Sequence, residues 1–368
     1  MDRRIVLVIL TIFLFCSITF LFPLTQAANT VVSTINIGDA QDGPMAITPN
    51  GDYMYIPQYA NPSVLVLDLT KKTVNTTITV GNKPYNAAVT PNGDYVYVTN
   101  SADNTVSVIS TKSNSVIATI TVGSYPASVA FTPDGKYAYV ANEVSDSVSV
   151  IDTATNSLKA TINVLTSPYG VAIVPTGEFV YVSNAGSGSV SVISTATNNV
   201  TATIKVGTQP FGVAFTPNGK QAYVVNNANN SVTVINTETN LVESTVTVGE
   251  FPSNVVVTPN GQYVYVTNEF GHSISVIETA TNQVTETVSF EGNPIAVAVA
   301  PNHPYLYVGI SSSHIITVLD TGIAPNNPEL FNTVYWIILI VVIIVIALLL
   351  VFMLHKHKKK LIKNEEII

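Results

Sequence analysis

The stretch Thr90–Asn100, "TPNGDYVYVTN", decides the fold, because the chain repeats it at a fixed distance. It reads "TPDGKYAYVAN" at 132–142, "TPNGKQAYVVN" at 216–226 and "TPNGQYVYVTN" at 258–268. The proline of this turn falls at Pro49, Pro91, Pro133, Pro175, Pro217, Pro259 and Pro301, always 42 residues apart. Seven copies without an insertion or deletion fix a repeat architecture, and a period of this size belongs to solenoids and propellers.

One copy predicts four short strands. In 84–122 they are "YNAAVT", "YVYVTN", "TVSVIS" and "VIATITV", separated by the turn "PNGD", the loop "SADN" and the turn "TKSN". Short β-branched and aromatic runs between Gly, Asn, Asp, Pro and Ser read as hairpins. Pro91 presets its turn, and Gly93 can take the positive φ at which the hairpin leaves it. That demand explains the repetition without any catalytic role. Tyr95 to Val98 offers apolar surface on both faces, as a sheet covered on both sides requires.

The ends of the array choose between an open solenoid and a ring. "NTVVSTINIG" at 29–38 matches the fourth strand of other copies, such as "NNVTATIKVG" at 198–207. The last copy stops after its third strand, "IITVLD" at 315–320. The strand missing at one end is present at the other. Pairing the two closes the ring and removes its open edge. Residues 29–322 number 294, seven periods of 42. The fold class expected is all-β, a seven-bladed β-propeller of four-stranded blades closed by the N-terminal strand.

These residues carry a family resemblance. "YVTN" at 97–100 and 265–268, "YVAN" at 139–142, "YVSN" at 181–184 and "YVVN" at 223–226, with "SVSVID" at 147–152, resemble YVTN-repeat β-propellers. The likeness covers nearly all of 29–322. It implies a seven-bladed propeller of the type found in archaeal surface-layer and cell-surface proteins. The first copy departs with "YIPQ" and the last with "PNHP" and "YVGI", and terminal copies are the usual atypical ones.

Both ends of the chain differ from the middle. Residues 1–27 run from a basic start through an apolar centre to small residues, the order of a secretory signal. A propeller at 28–322 and a stalk at 323–333 follow. Val334–Leu354 is an uncharged apolar stretch long enough to cross a bilayer as a helix, and the basic tail 355–368 marks its cytoplasmic side. The expected location is therefore the cell surface, with the propeller outside. The one cysteine, Cys16, lies in the signal, so the propeller must be stabilised by packing rather than disulfides. Residues 28–333 hold 8 Lys and Arg against 20 Asp and Glu, a net charge of −12. That balance excludes a nucleic-acid footprint.

Function is expected where the copies differ. Loops from a fourth strand to the next first strand share one propeller face with loops between second and third strands. The first set carries Lys83, Tyr85, Tyr125, Tyr169, Phe211 and Phe251 beside the prolines of that loop; the second carries Tyr59, Glu143, Asp146, Glu269, Phe270, His272 and His314. Aromatic side chains around one face can form a platform for sugar rings or peptide side chains, or can simply pack between blades. His272 and His314 occupy equivalent positions near Glu269, a weak candidate metal or acid–base group. Glu143 and Glu269 lie three copies apart and can meet only if both reach the central channel. The strand-end Asn100, Asn142, Asn184, Asn226 and Asn268 are expected to bond the loop backbone. Sequons occur at Asn75, Asn199 and Asn229.

No helical zinc motif, nucleophile elbow or phosphate loop is present in the sequence. The favoured reading is a non-catalytic, membrane-anchored recognition module that binds an envelope glycan or surface protein and needs no cofactor. The alternative is a lactonase-like or lyase-like propeller using Glu269, His272 and His314 with a divalent cation.

Overall fold

Seven four-stranded antiparallel sheets form the blades of a ring in the computed structural model, which describes residues 29–38, 43–311, 313–323, 340 and 343. Blade 2 is representative, with strands Pro84–Val89, Tyr95–Asn100, Thr105–Ser110 and Ser115–Thr121 running from axis to rim. The innermost strands of neighbouring blades face one another around the axis. Six of the seven hairpin turns are closed as the sequence requires, as with Gly93 at φ +79, whose N–H donates to Thr90 O over 2.8 Å.

The ring closes by strand exchange between the chain ends. Thr30–Asn36 pairs antiparallel with Ile315–Asp320, from Thr30 opposite Asp320 to Asn36 opposite Ile315. Ile323, placed in the stalk by the sequence, is instead buried with Leu306, Leu319 and Val297 at the junction of blades 6 and 7. The signal segment 1–27, the rest of the stalk, the apolar stretch 334–354 and the tail lie outside the described residues, apart from the helical Ile340 and Ile343. Among the described residues no helix is long and apolar enough to cross a membrane.

The apolar core is divided among the seven junctions between blades. At one of them Tyr139, Val148 and Val150 of blade 3 meet Val171, Val180 and Val182 of blade 4. Second and third strands are buried on both faces, whereas outermost strands are mostly exposed. Hydrophobic burial therefore joins each blade to the next.

A polar clamp crosses these apolar junctions. The turn before the outer strand ends in an asparagine with positive φ in five blades, from 47° at Asn114 to 57° at Asn240, a conformation Asn tolerates better than most residues. Its Oδ1 accepts the hydroxyl of the buried tyrosine in the preceding blade. The pairs are Tyr55–Asn114 at 2.9 Å, Tyr97–Asn156 at 2.5 Å, Tyr139–Asn198 at 2.8 Å, Tyr181–Asn240 at 2.5 Å and Tyr223–Asn282 at 2.6 Å. Tyr265 reaches Asn29 at the start of the closing strand, at 2.7 Å. The seventh turn carries Lys72, whose ammonium donates to Ser33 Oγ of that strand.

Tyr139→Phe is expected to cost about 1 kcal/mol by stranding the asparagine oxygen. Asn198→Ala should cost more than Asn198→Gly, because alanine is strained at φ 55. Urea titration of the three variants checks both statements. Burial also lifts the phenols of Tyr55, Tyr97, Tyr139, Tyr181 and Tyr307 to about 12, and those of Tyr223 and Tyr265 further. Unfolded tyrosines ionise near pH 10, roughly, so the unfolded chain releases these protons first. Stability should be insensitive to these groups below that pH and fall steeply as pH rises toward the folded values. Thermal melts across the alkaline range read the fall, and an unchanged Tm would contradict it.

Candidate ligand site at the throat of the loop face

The two variable loop sets do share one face, and backbone hydrogen bonds tie them together. Ser101 N donates to Lys83 O at 3.0 Å, Glu143 N to Tyr125 O at 2.9 Å and Glu269 N to Phe251 O at 3.0 Å. The residue before the proline is left-handed in five blades: Lys83, Tyr125, Ser167, Gln209 and Phe251 have φ between 50° and 56°. Each such residue costs about 1–2 kcal/mol of backbone strain. The conformation separates side chains that look equivalent in sequence. Tyr125 and Phe251, before the proline, stand outside the cavity lining. Tyr85, Tyr169 and Phe211, after it, line the central cavity.

There they form an aromatic belt with contributions from five blades. The Tyr125 and Tyr59 hydroxyls are 2.9 Å apart. Tyr59 meets the Tyr85 ring edge-on at 6.0 Å, and Tyr85 meets Tyr169 edge-on at 5.9 Å. The Tyr85 and Tyr169 hydroxyls hydrogen-bond across the intervening blade, where the corresponding residue is only Ala127. Tyr169 stacks on Phe211 at 4.3 Å and 19°. Gly170 makes this stack possible: a Cβ there would lie 2.2 Å from Phe211 O, so any other residue would push the two inner strands apart.

The belt faces a different wall across a cavity of about 390 Å³. Ser253, Asn254 and Glu269 of blade 6 and Ile295 and Ser311 of blade 7 contribute to it. Glu143 and Glu269 are half-buried, and burial raises both carboxyl groups above the ordinary glutamate range. Both act on Tyr85, whose phenol is lifted to about 12 first by burial, against the Tyr169 hydrogen bond, and then by the charges of Glu143 and Glu269. Burial likewise raises Tyr169. Three blades apart, the two glutamates act on one ring, Glu269 from within the cavity lining and Glu143 from beside it.

The remaining candidates go elsewhere. Phe251 and Phe270 form a separate edge-on pair at 4.7 Å on the rim, 44% and 49% exposed. His272 and His314 take the left-handed position of their loops, at φ 46 and 56. At that position Asn104, Asp146 and Asn230 accept the backbone N–H of the residue before the next proline, at 2.8–2.9 Å. His272 Nδ1 lies 3.1 Å from Gly292 O, so it too braces the neighbouring loop. Among the described residues no three His, Cys, Asp or Glu side chains are grouped to hold a metal ion. The strand-end asparagines differ from expectation. Their Nδ2 groups donate to two hydroxyls of the third strand, Ser147 and Ser149 in the case of Asn142, and only Asn226 accepts a loop N–H, from Gly207. Asn75, Asn199 and Asn229 are exposed.

Sequence reasoning missed the cavity-lining Ser253, Asn254 and Ser311. Ser253 is the residue after its proline, so a register reading of that position around the ring could have found it. The family described as "Lactonase, 7-bladed beta-propeller" matches residues 116–238 and 170–323, which together take in more than half of the chain. No curated protein matches it. Among solved structures, Kuenenia stuttgartiensis hydrazine synthase aligns with a TM-score of 0.69 at 23% identity, over 78% of this chain and 97% of that one. At that identity the likeness is one of fold.

The raised carboxyl of Glu269 has a consequence for stability. A group whose folded pKa is raised favours the fold below its unfolded pKa, and that favour is lost as pH rises through the folded value. Glu269→Gln should therefore raise Tm at neutral pH, with the gain disappearing once the pH falls below the ordinary glutamate range. Paired melts in acid and at neutral pH would show it; a variant less stable than wild type at neutral pH would contradict it.

Proposed function

The chain belongs to the lactonase family of seven-bladed β-propellers, and from that premise we propose that it is a recognition module which holds part of an envelope glycan or surface protein in its throat. The observation that carries this reading is the aromatic belt from Tyr125 to Phe211, set opposite the polar wall of Ser253, Asn254 and Ser311. Aromatic faces on one side and hydrogen-bonding groups on the other suit a ligand with a flat apolar face and polar edges. A closed ring holds both walls rigid, so binding costs little ordering. The signal-like 1–27 and the apolar 334–354 support a membrane-anchored cell-surface location of the YVTN-repeat type.

A second reading follows from the family itself and from Glu269. A carboxylate whose proton affinity is raised by burial is suited to act as a general base. In a hydrolase, Glu269 would take a proton from water while the water oxygen attacks a lactone carbonyl. The ring C–O bond then breaks to give the hydroxy acid. This version uses Glu269 without the histidine pair, since His272 is engaged with Gly292.

One pair of measurements separates the readings. The full-length chain should bind an envelope fraction saturably, and Tyr169→Ala should weaken binding about tenfold. Incubation with a panel of simple lactones under pH-stat should consume no base beyond the blank. Lactone opening that disappears in Glu269→Gln would replace recognition with hydrolysis.

A further inference from the structure

We propose that the throat selects an organic ammonium ion, held between the aromatic belt and the carboxylate of Glu269, with the charge of Glu143 added from beside the belt. This rests on the reading of the throat as a ligand site and assigns the ligand its charge. The cavity, at about 390 Å³, is the size of a small-molecule site.

Three observations point to a cation. Tyr85, Tyr169 and Phe211 of the belt line the cavity, and aromatic rings attract ammonium groups lying within about 6 Å of their centroids. The belt already holds one such group at its rim, where Lys83 Nζ stands 5.3 Å from the centre of the Tyr59 ring. Glu269 also lines the cavity, Glu143 acts on the same Tyr85 ring from three blades away, and neither forms an ion pair with a described residue. Among the described residues the ion pairs are Lys71–Asp68 and Lys136–Asp134, both away from this cavity. Half-buried charge with no internal counterion favours a ligand that supplies one.

The same geometry chooses among ligands. A divalent metal ion takes six or more oxygen donors at close range, and Glu269 is the one carboxylate among the described residues lining the cavity. An anionic lactone would face Glu269 with no basic group in the cavity lining to offset it. An organic ammonium ion matches both parts of the site, with its carbon groups against the rings and its charge toward the glutamates.

The test uses the full-length chain, choline as probe and the uncharged tert-butyl isostere of choline as control, followed by titration calorimetry. Choline should bind saturably and about tenfold more tightly than its isostere. Glu143→Gln and Glu269→Gln should each weaken choline severalfold, roughly, and leave the isostere unchanged. Binding should also weaken as pH falls through the raised glutamate range. Equal affinity for probe and isostere overturns the proposal. If the envelope fraction binds in a Tyr169-dependent manner but choline neither binds nor competes, the ammonium assignment fails and the recognition reading stands. If neither binds, both fail.

Discussion

The hydrogen bond from a buried tyrosine in one blade to a left-handed asparagine in the next is the constraint on which the ring depends. Hydrophobic burial draws blades together but is non-directional, and valine packed on valine tolerates sliding. The Tyr–Asn clamp is directional. Its donor is fixed in a central strand and its acceptor in a tight turn, so it sets how far each blade is displaced from its neighbour. Repeated at equal sequence spacing, it gives equal angular steps, and equal steps close a circle. Tyr265 with Asn29 extends the clamp to the strand that closes the ring. The closing strand therefore carries both ladder pairing and a clamp.

A ring fixed at its rims leaves its centre free to vary. Positions after the loop-face proline hold Tyr85, Ala127, Tyr169, Phe211, Ser253 and Ile295 in successive blades from the second to the seventh. The scaffold tolerates this range because these side chains border the central cavity. Small residues at Ala127 and Gly170 let large ones reach over them. The result is an asymmetric cavity inside a nearly symmetric frame, aromatic on one side and polar with a carboxylate on the other.

The throat also opposes the frame energetically. At the blade junctions the buried polar side chains are neutral, as with the clamping tyrosines and Asn142, whose amide nitrogen donates to Ser147 and Ser149. At the throat two carboxylates are half-buried without a cation, and five loop residues hold strained backbone. Natural folds concentrate such local costs at functional sites. Seven apolar junctions can support one unfavourable centre, and a ligand of suitable charge would relieve it.

The sequence by itself determined the blade, the number of blades and the way the ring closes. Those features rest on local turn chemistry, on strand periodicity and on a missing strand present at the opposite end, all readable along the chain. It also gave the loop face and most residues of the site, but as an undivided set. Tertiary structure divided that set. A left-handed residue before the proline kept Tyr125 and Phe251 out of the cavity lining and let Tyr85, Tyr169 and Phe211 turn inward. Ring closure then brought Tyr85 against Tyr169, 84 residues away, and placed Glu143 and Glu269 within electrostatic reach of one phenol. The physical reason is that closing a circle gives side chains from every blade a common axis. Distance across that axis depends on side-chain length and backbone direction, and spacing along the chain encodes neither.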